Sequence, residues 1–322
     1  MNEEQALSVM YPPGVKRPGK RAPGGVMQIW ITRACDKSCF NCTQGSNLRG
    51  TPGMITVEQF EQACLSLDGY FGTVGVFGGN PAVHPKFEEI CEVMCKHIPR
   101  KRRGLWCNNP MGKGKAMAKT FNPMVSNLNT HLDQEAHKEF KRDWPKSLPF
   151  GNTKDSRHSP VFVAMKDVIE DEGKRWELIS GCDINKYWSA MIAPFRGELR
   201  GWFCEIAAAQ SILHQHEPDY PDTGIPLVRE DATIDSSWWK LSMKEFAPQV
   251  RKHCHDCGIP LRGYGELAQS TDSASVEQVS ETHKSIYSLK KQGRKLELVT
   301  KLEQLGDKSL GKVTDYMGNA GK

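Results

Sequence analysis

Ile31-Thr32-Arg33-Ala34-Cys35-Asp36-Lys37-Ser38-Cys39-Phe40-Asn41-Cys42 decides how this chain is read. Three cysteines spaced C-x3-C-x2-C follow directly on a β-type run, Val26-Met27-Gln28-Ile29-Trp30-Ile31. A strand that runs into a loop with three thiolates can hold three corners of an iron–sulfur cubane and leave its fourth iron open. An open iron is a place where a ligand binds and reacts. Zinc would want a fourth ligand nearby, and a purely structural cluster a fourth thiolate; the loop offers neither. The asymmetry of three points to catalysis.

Working outward, Thr56-Val57-Glu58-Gln59 is a capping-box pattern that opens a helix with Phe60, Cys64 and Leu67 on one face. A second strand, Gly72-Thr73-Val74-Gly75-Val76-Phe77, runs into Gly78-Gly79-Asn80-Pro81. Two glycines let a backbone approach a ligand closely, and the Asn80 oxygen can accept from an ammonium. In order and spacing, the cysteine loop and the glycine turn resemble the radical S-adenosylmethionine superfamily, over roughly residues 26–210. That family's turn reads Gly-Gly-Glu-Pro and contacts the methionyl amino group, so Asn80 keeps an acceptor and loses the charge. An aromatic residue usually precedes the third cysteine; here that position is Asn41, with Phe40 one residue earlier.

The resemblance implies a 4Fe-4S cluster on Cys35, Cys39 and Cys42, with S-adenosylmethionine chelating the open iron and touching Gly78, Gly79 and Asn80. One electron, from a flavodoxin- or ferredoxin-type donor, cleaves the sulfonium–carbon bond, and the 5′-deoxyadenosyl radical so formed removes a substrate hydrogen. It also implies an α/β fold, a partial (β/α)6 barrel with a small cysteine-containing C-terminal extension. Polar residues of the fourth strand, Ser126, Asn127 and Asn129, would meet the ribose or carboxylate of the cofactor.

The remaining pattern suits that fold. A helix is expected over 85–98, with Cys91 and Cys95 packed in the core, then a strand Gly104-Leu105-Trp106-Cys107 ending in Asn108-Asn109-Pro110. Those asparagines are either ligand-facing residues or ordinary turn formers. Residues 124–129 read as the fourth strand, about 133–142 as a polar helix, and 160–165 as the fifth strand. A sixth strand lies at 190–193 or at 202–203. Four divisions follow: a basic Pro/Gly-rich irregular arm over 1–25, the barrel over 26–210, a metal-binding extension over 211–266 and a polar tail over 267–322.

A second cysteine set lies late in the chain: Cys182, Cys204, Cys254 and Cys257. The last two form a C-x2-C knuckle, His253-Cys254-His255-Asp256-Cys257-Gly258, whose tight turn directs two thiolates at one metal. An auxiliary iron–sulfur cluster or a zinc ion fits this set, with His253 or His255 able to replace a cysteine; otherwise Cys182 and Cys204 are buried thiols. His214 and His216 would share a face in a strand but not in the helix that Ala207-Ala208-Ala209 suggests.

No apolar run approaches the roughly 20 residues that span a membrane, and the N-terminus lacks a signal-peptide pattern. The cytoplasm is therefore expected, where eleven cysteines suit metals better than disulfides. The net charge of +5 concentrates at Lys16, Arg17, Lys20 and Arg21, at Arg100, Lys101, Arg102 and Arg103, and at Lys113 and Lys115. Such clusters suit DNA or are plain solvated loops. With the tryptophans available to hold an unstacked base, one substrate reading is a radical isomerase of bacteriophage thymidine hypermodification, acting on glycinyl thymidine. Modification of a ribosomally made peptide is the alternative, and a non-catalytic iron–sulfur module a third.

Overall fold

The computed structural model describes residues 1–16, 25–39, 41–46, 48, 53–131, 133–144, 150–151, 160–261, 276–289 and 295–305. In chain order the first half runs α1 (Glu3–Val9), β1 (Val26–Thr32), α2 (Val57–Leu65), β2 (Thr73–Gly78), α3 (Phe87–His97), β3 (Arg103–Cys107), α4 (Gly114–Thr120), β4 (Asn127–Asn129), α5 (Gln134–Asp143) and β5 (Phe150–Gly151). The second half runs α6 (Met165–Val168), α7 (Glu172–Ser180), α8 (Asp183–Tyr187), β6 (Ser189–Phe195), β7 (Glu198–Trp202), α9 (Glu205–His214), β8 (Ile225–Pro226), α10 (Ala247–His253), β9 (Val276–Val279) and β10 (Lys295–Leu298).

β1 is buried at every residue. A strand so apolar needs cover on both faces and partners on both edges, and β1 has β2 on one side and β6 on the other, both parallel. The sheet order is β5-β4-β3-β2-β1-β6-β7-β8; the first six strands are parallel and the last two antiparallel. One helix links each pair of successive strands from β1 to β5, as a parallel connection demands. The α/β class is thus as expected, and the C-terminal ends of β1 to β6 share one edge of the sheet.

Local signals hold where the chain carries its own caps. Thr56 and Gln59 form the reciprocal cap of α2, and Phe60 and Cys64 are buried. The same device stands at Asn2 and Gln5, which cap α1, so residues 3–9 of the arm expected to be irregular are helical. Residues 17–24, with Arg17, Lys20 and Arg21, lie outside the described residues.

Four readings change. Residues 160–165 are not a strand: Pro160 to Ala164 is a buried irregular run leading into α6, and the fifth strand is β5. Its backbone bonds go to segments remote in sequence, Gly258 N–H to Val161 O, Ser280 N–H to Phe162 O and Ala164 N–H to Ser280 Oγ. An apolar run of this length does not say which partner will satisfy it. The fourth strand is only Asn127–Asn129, because Pro123–Val125 turns as a 3-10 helix capped by Asn122. Both alternatives for the sixth strand are strands, joined as the antiparallel pair β6–β7. Cys91 is buried but Cys95 is exposed, since four residues of helix overshoot a full turn and carry it off the stripe.

The polar tail is also partly folded. β9 and β10 pair in parallel, and Ser280, Thr282 and His283 bond to Ala164, Asp167 and Asp256. Residues 306–322 lie outside the described residues. All eight tryptophans are buried in the core, so none is presented at the surface for a base. Among the described residues no helix is long and apolar enough to cross a membrane.

Candidate iron–sulfur site

The cysteine loop leaves the C-terminal end of β1, and the glycine turn leaves the same end of its neighbour β2. Gly79 N–H donates to Thr32 O and Asn80 N–H to Ala34 O, both at 2.7 Å. This docking explains the glycines. A Cβ on Gly78 would stand 2.1 Å from Thr32 O, and one on Gly79 2.1 Å from Ala34 O; Gly78 also has φ near +148°. What they approach closely is the root of the cysteine loop.

The loop is braced from several elements. Thr32 Oγ1 accepts from Ala34 N–H and donates to Gly53 O. Arg33, buried, donates to Gly45 O at 3.2 Å; burial lowers its pKa, and the nearby Cys42 opposes that. Cys35 Sγ lies 3.4 Å from Lys37 N and 3.6 Å from Asn108 Nδ2, while burial pushes its thiol up to about 12. A metal bound there must displace that proton. Cys39 and Cys42 are half-buried. Asn41, before the third cysteine, is buried with φ near +45°, a conformation asparagine tolerates, and its N–H faces the fully buried Glu277 of β9 at 3.4 Å. Phe40, the aromatic residue one position earlier, lies outside the described residues.

Strand ends add a polar network. Asn80 is fully buried; its Oδ1 accepts from Ala82 N–H at 3.1 Å and Cys107 Sγ–H at 3.2 Å. Its Nδ2 donates to Asp36 Oδ1 at 2.8 Å and Asn109 O at 3.0 Å. Asn109 Nδ2 donates to Asp36 Oδ2 at 2.9 Å. Asn108 and Asn109, left open in the sequence reading, therefore both face the cysteine loop. Lys37 Nζ is 2.6 Å from Asp133, the cap of α5. Burial lowers the Lys37 pKa, but Asp133 and Asp36 more than offset it. His131, which the sequence reading missed, follows β4 and is lowered to about 4 by burial and by Lys37. Of the fourth-strand candidates, Asn129 Oδ1 caps His131 N–H, Ser126 Oγ bonds the backbone at Leu105 and Asn122, and Asn127 is half-buried.

The second cysteine set converges from four places. Cys182 caps α8, Cys204 caps α9, Cys254 ends α10 and Cys257 follows in the knuckle. All four border one cavity, together with Phe203 and His253. Burial, reinforced by their mutual proximity, raises the thiols of Cys204, Cys254 and Cys257. Cys257 Sγ accepts from Ile259 N–H at 3.4 Å, and Gly258 is required because a Cβ there would meet Pro160 O at 1.9 Å. His255 is not at the cavity: it stacks edge-on to Trp176 and accepts from Arg175. His214 is buried against Tyr220 while His216 is exposed, so they share no face. Among the described residues, no three Cys, His, Asp or Glu side chains converge as they would on a single ion.

The arginines of the 100–103 run do other work. Arg100 donates to Lys119 O and Ala118 O, Arg102 to Tyr70 O, and Arg103 to Ile98 O and Thr120 O. They sit where β3 begins, at the edge opposite the cysteine loop.

No protein-family profile matches the chain, and no curated protein does. Among solved structures it is similar to the crystal structure of BtrN in complex with AdoMet and 2-DOIA, with 12% identity and a TM-score of 0.40, covering 79% of this chain and 94% of that one. Selenomethionine BtrN in an open conformation gives 12% and 0.39 over the same shares.

Proposed function

We propose that this chain is a radical S-adenosylmethionine enzyme whose catalytic 4Fe-4S cluster is held by Cys35, Cys39 and Cys42. The observation that carries the reading is the backbone docking of Gly78-Gly79-Asn80 on Thr32–Ala34, which joins the two motifs at one sheet edge. The residues fit such a group. Cys35 already meets two N–H donors, as cluster thiolates do. Two buried polar atoms beside the cysteines, Asn41 Oδ1 next to Cys42 and Asn108 Oδ1 on the amide that meets Cys35, have no partner among the described residues, as expected where a bound group supplies one. The parallel strands stand in cyclic sequence order, which suits a partial barrel opened between β5 and β6.

When bound, cluster and cofactor supply a 5′-deoxyadenosyl radical that removes a hydrogen atom from the substrate. The chain's own part is to hold and shield: Arg33 and the Gly45 turn brace Cys42, and the Lys37–Asp133 pair ties the loop to α5. Cys182, Cys204, Cys254 and Cys257 are assigned to an auxiliary iron–sulfur cluster rather than zinc. What supports this reading is that the four cysteines, from separate elements, border one cavity, and that thiolates alone are the usual ligands of such clusters. The electron comes from a flavodoxin- or ferredoxin-type donor. For the substrate we carry amino-acid-modified thymidine, supported by the basic arm that begins at Lys16.

Anaerobically reconstituted, reduced protein should release 5′-deoxyadenosine, and Cys39→Ala should abolish release; absence of the product from the wild type refutes the reading. Iron and sulfide should persist in a variant with Cys35, Cys39 and Cys42 all changed to alanine, and zero iron there removes the auxiliary cluster. Nucleoside mass spectrometry after incubation with glycinyl-thymidine DNA tests the substrate, and unchanged nucleosides favour a peptide.

A further inference from the structure

Asn80 occupies the position where the resembled family carries an acid, yet its side chain is spent inside the protein. Oδ1 accepts from Ala82 N–H and shares the single Cys107 thiol proton with Asn109 O, each 3.2 Å from the sulfur, and both Nδ2 hydrogens go to Asp36 and Asn109. The amide has one possible orientation, because Asp36 only accepts and Ala82 N–H only donates. Asp36 is what this bracket presents. Each of its oxygens takes one amide hydrogen bond, from Asn80 or Asn109; the second neighbour of each is long, the Cys35 thiol at 3.9 Å from Oδ1 and the Lys37 ammonium at 3.8 Å from Oδ2, so both keep capacity for a closer donor. The side chain is 20% exposed. Lys37 stands 3.8 Å away but spends its short contact, 2.6 Å, on Asp133. Two carboxylates thus share one ammonium, leaving a negative charge beside Cys35.

We propose that Asp36 supplies the carboxylate that the 78–81 turn lacks, and that it receives the α-amino group of the amino-acid-bearing sulfonium ligand at the three-cysteine site. The inference rests on the radical reading above. The acid has moved from the glycine turn to the cysteine loop, and Asn80 has become its support. A neutral amide at 36 would lose a charge-assisted hydrogen bond, which corresponds to about tenfold or more in affinity.

The test compares wild type with Asp36→Asn, both reconstituted anaerobically, in equilibrium binding of S-adenosylmethionine and of its desamino analogue, which carries hydrogen in place of the amino group. The expected result is full iron and sulfide in both proteins, a tenfold or greater loss for S-adenosylmethionine in the variant, and no change for the analogue. Equal affinities in the two proteins, or an equal loss for both ligands, would overturn the proposal and leave Asp36 a loop brace. Should Asp36→Asn not load iron, Asn109→Ala is measured instead. It removes one support of Asp36 and keeps the charge, and a loss of about threefold confined to S-adenosylmethionine is expected; a loss shared by both ligands, or none, refutes the assignment. Wild type that loads iron and binds neither ligand refutes the radical reading itself.

Discussion

Gly79 shows how one missing carbon sets the site. Its Cβ position lies 2.1 Å from the carbonyl of Ala34, which also accepts the Asn80 N–H. Gly79→Ala must push the turn away from the cysteine loop, at about 1–3 kcal/mol by analogy with overpacked cores. The expected outcome is a lower denaturation midpoint together with iron content well below wild type. A variant with unchanged iron would mean that the docking does not position the cysteines. The sequence shows both glycines plainly, but reads them as room for a ligand. The fold assigns that room to the loop root, and it shows that Asn80 supports a carboxylate instead of facing solvent.

At the scale of elements, the segment over 160–168 and the strand pair β9–β10 depend on each other. Ala164 N–H is buried and its partner is Ser280 Oγ at 2.8 Å. Ser280→Ala orphans that donor, with an expected loss of about 1–3 kcal/mol in urea denaturation. A change within about 0.5 kcal/mol, the size typical of surface substitutions, would show that the tail is not integral to the fold. Helices with their own caps, such as α2 and α5, are legible in sequence because the capping groups are local. The 160–168 run is not, because its backbone partners are about a hundred residues away in sequence.

For the molecule as a whole, burial makes stability depend on pH. His131 and His283 are each lowered from 6.5 to about 4, chiefly by burial. Their neutral forms are favoured when folded, so this stability is complete above about pH 6.5 and is lost as pH falls toward 4. Each group should contribute a loss of about 2 kcal/mol between pH 7 and pH 5. Buried His253 is lowered too, to about 3, so denaturant titrations of the cluster-free protein at the two values should show His283→Gln removing roughly a third of the difference. A pH-independent midpoint would show that these imidazoles are solvated. The same burial explains the tryptophans: the core takes all eight, and the 100–103 arginines cap carbonyls at the far edge. Of the residues from which composition suggests a nucleic-acid surface, the tryptophans and the 100–103 arginines are used by the fold for packing and capping.

By itself the sequence determined the α/β alternation, the strand that delivers Cys35, Cys39 and Cys42, the glycine turn on the next strand, and the knuckle at Cys254 and Cys257. Each depends on spacing within a few residues, where periodicity and turn chemistry act. Only the tertiary structure decided the rest. It gathered Cys182 and Cys204 with the knuckle around one cavity, brought Asn108 and Asn109 to the cysteine loop, and set the Asn80 amide against Asp36. It also folded β9 against the loop, so that Glu277 faces Asn41. Those outcomes depend on which remote backbone and side-chain groups satisfy one another once buried, and no local pattern encodes that pairing.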